Sequence, residues 1–164
     1  MRKLSMDELG RISPEDFRKK EKTPLILVLD NIRSGMNVGS AFRTADAFAL
    51  QKICLCGISA RPPHREILKT ALGSTHSMDW SYEEDPLKTV RELQRNGVQV
   101  LAVEQAAGSI RLDCFQPLPK TVYALVFGNE VNGVSGEVME VVDDCIEIPQ
   151  FGTKHSLNIA VSIG

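Results

Sequence analysis

The chain alternates between two kinds of apolar segment. Short unbroken runs, LILVLD (25–30), KICLCG (52–57), MDWSY (78–82), VQVLAVE (98–104), TVYALVFG (121–128) and CIEIP (145–149), have the length of strands. The first of them looks buried on both faces, as in a parallel sheet. Between the runs, apolar residues recur at helical spacing. Val38, Ala41, Phe42, Ala45 and Phe48 make one stripe, which leaves Arg43, Thr44 and Asp46 off it. HREILKTAL (64–72) and DPLKTVRELQRNG (85–97) predict two further helices, the second acidic at its start and closed by Gly97. Ser13-Pro14-Glu15-Asp16 reads as a helix start, with serine as cap and proline in the first turn, so residues 1–23 form a helical extension before the first strand. Shorter helices are expected near Ser135 to Val142 and from Ser156 onward. About six strands interleaved with helices predict one α/β domain over residues 1–164, its mostly parallel six-stranded sheet flanked by helices.

Composition agrees with one globular domain: 164 residues, 43% hydrophobic and 24% charged. The start, MRKLSMDELG, lacks the apolar stretch of a secretory signal, and no apolar run approaches the length of a membrane span, so the chain is expected to be cytoplasmic with no membrane segment. Four cysteines without a CxxC pair and three scattered histidines predict reduced thiols and no metal site. A formal net charge of −2 gives no general attraction to phosphate. Any nucleic-acid partner must therefore meet a local patch, for which RKKEK (18–22) and the scatter Arg33, Arg43, Arg61, Arg65 and Lys69 are the material.

Three stretches rich in glycine, amide and hydroxyl residues follow predicted strands: NVGSAFRTAD (37–46), FGNEVNG (127–133) and IPQFGTKHSLN (148–158). Ligands of open α/β sheets bind beyond the carboxyl ends of the strands, so the three are placed to converge on one pocket. Neither a G-x-G-x-x-G after the first strand nor a G-x-x-x-x-G-K-[ST] loop is present. That argues against a nucleotide-dependent oxidoreductase and for a ligand held by peptide groups in tight turns.

Those stretches resemble the SpoU or TrmH-like branch of the SPOUT RNA methyltransferases. Its first block, an asparagine followed six residues later by arginine and then T-A, matches Asn37-Val38-Gly39-Ser40-Ala41-Phe42-Arg43-Thr44-Ala45. Its second, a strand running into F-G-x-E-x-x-G, matches Leu125 to Gly133, and its third matches Ile148-Pro149 and Ser156-Leu157-Asn158-Ile159-Ala160-Val161. The resemblance extends from about Leu25 to the end. It implies S-adenosylmethionine as methyl donor, a ribose 2′-hydroxyl of tRNA or rRNA as acceptor, a homodimer, and a carboxyl-terminal trefoil knot. It also implies a last helix that continues beyond Gly164.

By the same resemblance Arg43 acts on the ribose hydroxyl. A guanidinium with a pKa above about 12 is a poor base, so its expected role is to grip the adjacent phosphate, orient the hydroxyl and stabilise developing negative charge. Asn37 is both a candidate helix cap and a site residue. Glu130 either stabilises a helix start or arranges Arg43 and substrate, and Gly128 and Gly133 around it suggest close approach of backbone to a ligand. Ser156 and Asn158 open the last helix and, by resemblance, sit beside cofactor and ribose. Peptide groups near Gly128, Ile148 and Leu157 are expected to hold the adenosine part, with Ser156 beside them and Glu104 a further candidate in the same pocket. Phe151, Lys154 and His155 lie in the third loop, where polarity is equally explained by solvent exposure. A non-catalytic RNA-binding module on the same fold is the rival reading, and it predicts loss of one of Asn37, Arg43, Glu130 or Asn158, all of which are present.

Overall fold

The computed structural model describes residues 1–5, 7–10 and 12–164. Its strands are β1 (Thr23–Asp30), β2 (Leu50–Cys56), β3 (Trp80–Glu83), β4 (Gln99–Val103), β5 (Ile110–Arg111), β6 (Tyr123–Phe127) and β7 (Asp144–Glu147). The helices are α1 (Pro14–Lys19), α2 (Gly35–Ala47), α3 (Arg65–Ala71), α4 (Ser74–Ser77), α5 (Pro86–Arg95), α6 (Gly136–Met139) and α7 (Ile159–Ile163). All strands join one sheet in the order β3-β2-β1-β6-β4-β7-β5, and every pairing in it is parallel. The sheet thus has seven strands where the sequence pattern predicts six. The additional one, β5, is two residues long and too short to show a period.

Both faces of the sheet are covered, which is why its central strands are apolar without alternation. Leu27, Leu29, Ile53 and Leu55 point to one face and pack with Val38, Ala41, Phe42 and Ala45 of α2 and Ile67 and Ala71 of α3. Ile26, Val28, Cys54 and Cys56 point to the other and pack with Val90 of α5 and Val138 of α6. Phe42 is wholly buried and meets the Trp80 ring edge-on, with centroids 6.1 Å apart. Removing such a ring from water contributes about 1.5–3 kcal/mol. Burial pushes the Cys56 thiol up to about 12, the behaviour of a core hydrophobe rather than a reactive thiol.

Side-chain caps set the helix starts. Ser13 accepts from the Asp16 amide at 3.1 Å, and Asp85 accepts from that of Leu87 at 2.8 Å. Two caps differ from expectation. The cap of α2 is Ser34, whose hydroxyl accepts from the Asn37 amide at 3.2 Å, so Asn37 lies inside the first turn. The last helix starts at Ile159 rather than Ser156, because the Asn158 side chain accepts from the Ala160 amide at 2.9 Å. No helix among the described residues is long and apolar enough to cross a membrane.

Candidate functional site

Parallel pairing puts the loops after β4, β6 and β7 side by side at one edge of the sheet. They enclose a cleft of about 630 Å³. Gly128, Ile148, Leu157, Ser156 and Glu104 line it, as do Glu130 and Asn158. Of the three residues named in the third loop, His155 lines the cleft whereas Phe151 and Lys154 do not. Val103, Gln105, Phe127, Asn129, Gln150, Ile159 and Ser162 also line it without having been singled out from sequence. Most are immediate neighbours of the motif residues, and that adjacency was the available signal.

The first polar stretch joins the other two through Asn37. Asn158 Nδ2 donates to Asn37 Oδ1 at 3.4 Å, and Asn37 Nδ2 donates to Glu130 Oε1 at 3.1 Å. One residue from each of three distant segments therefore stands in a single hydrogen-bonded line. The Glu130 carboxylate also accepts from the backbone amides of Arg33 at 3.3 Å and Ser34 at 3.2 Å. Burial alone would push its carboxyl up. Donation from its own amide, Asn37, Arg33 and Ser34 outweighs that and holds it below the usual carboxylate range. Glu130 thus stabilises a helix start, that of α2, nearly a hundred residues earlier.

The loop carrying Glu130 is itself braced. Asn129 Oδ1 accepts from the Val131 and Asn132 amides at 2.9 and 3.3 Å, and its Nδ2 donates to the Asn31 carbonyl at 2.7 Å. The Asp30 carboxylate, fully buried at the end of β1, accepts from the Ser135 amide at 2.8 Å and from Asn31 Nδ2 at 2.7 Å. Glu104 closes the other side, accepting from the Val134 and Gln105 amides at 3.2 and 3.0 Å.

The glycines of this loop, which line the cleft, are also required by the loop itself. A Cβ on Gly128 would collide with the backbone of Gly133 and Val134, and one on Gly133 would strike the Glu104 carboxylate. Gly133 also adopts φ 69°, a left-handed conformation. Gly128→Ala should therefore open the 128–134 loop, lower the thermal midpoint by roughly 4–12 °C for a loss of about 2–3 kcal/mol, and weaken ligand binding in the cleft. A melting curve with the wild-type midpoint would show that the loop accommodates the methyl group.

Arg43 is apart from the cleft. It is exposed and makes no ion pair among the described residues. It shares an outer stripe of α2 with Met36 and Ala47, at spacings of seven and four residues, and both of those are exposed too.

A parallel α/β sheet with its polar loops gathered at one cleft defines an α/β ligand-binding domain, and sequence comparison names its family. The chain belongs to the SpoU rRNA Methylase family, whose sequence model matches residues 24–164. It is 29% identical over 157 residues to the 23S rRNA (guanosine-2′-O-)-methyltransferase RlmB of Vibrio vulnificus, covering 96% of this chain and 62% of that protein. To the tRNA (guanosine(18)-2′-O)-methyltransferase of Aquifex aeolicus it is 30% identical, covering 89% of this chain and 68% of the relative. Its fold superposes on the AdoMet-bound rRNA methyltransferase of Sinorhizobium meliloti with a TM-score of 0.80 at 29% identity, over 93% of this chain and 57% of that one. The chain thus spans about three fifths of the length of the rRNA relatives it matches.

Proposed function

We propose that the protein transfers a methyl group from S-adenosylmethionine to a ribose 2′-hydroxyl of tRNA or rRNA, as a homodimer in the cytoplasm. The line Asn158, Asn37, Glu130 carries this reading, because it assembles all three family blocks at the mouth of one cleft. Among the described residues the cleft is lined by two carboxylates, Glu104 and Glu130, and by no lysine or arginine. Such a lining suits a positively charged sulfonium and disfavours a phosphate-rich cofactor. The volume of about 630 Å³ is adequate for a nucleoside-sized ligand. The relative from S. meliloti holds AdoMet.

In this reading, peptide groups at Gly128, Ile148 and Leu157, with the side chains of Ser156 and Glu104, hold the cofactor. Bound there, it supplies an electrophilic methyl group on a charged sulfur. Asn158 and Ser156 orient the ribose, Asn37 fixes Asn158, and Glu130 fixes Asn37. Alignment of this kind contributes much of the acceleration of a displacement at carbon. The Arg43 guanidinium grips the phosphate beside the reacting ribose and stabilises negative charge growing on the 2′-oxygen as the hydroxyl proton leaves to solvent water.

Arg43 stands six residues beyond Asn37, about 9 Å along the helix. It lies on the α2 stripe where Met36 and Ala47 are also exposed, while Val161 is exposed on α7, which packs on α2. We therefore assign this surface to the dimer and Arg43 to the cleft of the other subunit. The passage from β7 to α7, pinned where Gln105 donates to the His155 carbonyl at 2.7 Å, is read as the trefoil knot.

Tritium from labelled S-adenosylmethionine should appear in bulk tRNA or rRNA incubated with the protein, and the label should map to 2′-O-methyl nucleotides. Retention of RNA binding with no transfer to either RNA pool would sink the reading in favour of a binding module.

A further inference from the structure

We propose that the RNA strand leaving the reacting nucleotide crosses the carboxyl ends of β1, β2 and β3 and reaches α3, held by Arg33, Arg61 and Arg65 with Lys69 one turn beyond. The inference rests on the methyl-transfer reading above. A cleft lined by carboxylates does not attract a polyanion, so the phosphates must be met outside it.

The strand ends form a continuous path. Asp30 pairs with Cys56, and Cys56 with Glu83. The loops beyond are tied together, since the Asn31 amide donates to the Cys56 carbonyl at 3.2 Å and the Gly57 amide to that of Glu83 at 3.1 Å. Neighbouring strands stand about 4.8 Å apart. Arg33 begins the path at the cleft itself, its backbone amide bonded to Glu130 and its side chain exposed.

Arg61 is held in place. Its guanidinium lies over the Tyr82 ring, 4.2 Å from the centroid, and the Tyr82 hydroxyl donates to the Gly57 carbonyl at 3.0 Å. A stacked guanidinium keeps its N–H edge free for phosphate and loses less freedom on binding. The start of α3 abuts the start of α2, since a Cβ at Gly35 would lie 2.7 Å from His64 Nδ1. Arg65 follows at once, and Lys69 is four residues on, on the same helix face.

None of these four cations forms an ion pair among the described residues, in a chain of net charge −2. The opposing charges nearby include Glu130, whose carboxylate accepts from the Arg33 backbone amide, and Glu66 and Glu84, while Glu83 is bound by Lys88 at 2.8 Å.

The test compares the intact protein, Arg61→Ala/Arg65→Ala, and Arg91→Ala/Arg95→Ala, which removes the same charge from α5 on the opposite sheet face. Binding of bulk tRNA and of rRNA is measured across salt concentrations, with S-adenosylmethionine affinity and melting temperature alongside. The first variant should bind RNA on the order of tenfold more weakly near 0.1 M salt, with a log–log salt slope shallower by roughly 1.4–1.8 for two lost phosphate contacts. Its cofactor affinity and melting temperature should match the wild type, and the α5 variant should keep the wild-type slope. An unchanged slope in the first variant, an equal change in both, or no RNA binding by the wild type overturns the path. Binding that follows the expected pattern without methyl transfer keeps the path and removes the catalytic reading.

Discussion

Arg43→Ala should lower methyl transfer on the order of 10²–10³-fold, the usual loss when one donor to developing charge is removed, and leave cofactor affinity unaltered. The residue is exposed, outside the cleft and, among the described residues, in no ion pair, so its removal costs the fold little. Arg43→Lys should recover only part of the rate, because an ammonium keeps the charge but loses the planar two-pronged grip on phosphate. A near-normal Arg43→Lys enzyme would show that charge alone suffices. Sharing between subunits has its own test. Mixing Arg43→Ala subunits with Asn158→Ala subunits yields heterodimers in which one of the two sites has both residues intact, so activity should return to about half of one dimer's capacity per heterodimer. No recovery on mixing, with heterodimers demonstrably formed, would place Arg43 in its own subunit's cleft or outside the reaction.

Glu130 governs the second large effect, through geometry. Glu130→Ala strips the acceptor from the Arg33 and Ser34 amides and from Asn37 Nδ2 together. Because the site is partly open, water replaces some of what is lost, and the cost is about 1–2 kcal/mol, a fall in melting temperature of roughly 2–8 °C. The kinetic loss should be larger, on the order of a hundredfold, since Asn37 and then Asn158 lose their fixed orientation. The sign of the pH dependence follows from the carboxyl being held below its ordinary range. Its stabilisation is fully present above the unfolded value of about 4.3 and is lost as pH falls from there through the lower folded value. The gap in melting temperature between wild type and Glu130→Gln should therefore be constant near neutrality and close in acid. A gap that widens in acid would mean that the carboxylate is not the stabilised form.

Much of this architecture is legible in the sequence for identifiable reasons. Strands buried on both faces stay apolar without interruption, and α2 shows its stripe because one side meets the core. The elements that escaped, β5 and α4, are two and four residues long, about one period each and too short for a repeat to show. The shifted starts of α2 and α7 have one cause, competition between adjacent residues able to cap, decided by tertiary position: Ser34 before Asn37, and Asn158 after Ser156. The cleft residues named from sequence were readable because their polar stretches follow strands. The pairing of Glu130 with the start of α2 was not, since no local pattern signals a contact across 96 residues. Gly128 shows the same limit: its identity was visible, but only the structure shows that it makes room for the chain at Gly133 and Val134.

The strand order has a consequence for how the protein is made. β1 lies inside the sheet, yet its second neighbour, the central strand β6, begins at Tyr123, long after β1, β2 and β3 have emerged from a ribosome. The early half, with α2 and α3 laid on one face by Leu27, Leu29 and Phe42, can consolidate alone, while the far edge of β1 stays bare. Among the described residues, every one that lines the cleft lies at Val103 or later, so the cleft forms only as the second half of the sheet, β6 and β7 included, is added to the first. A nascent chain arrested before Tyr123 would expose an unpaired apolar edge and require a chaperone to shield it.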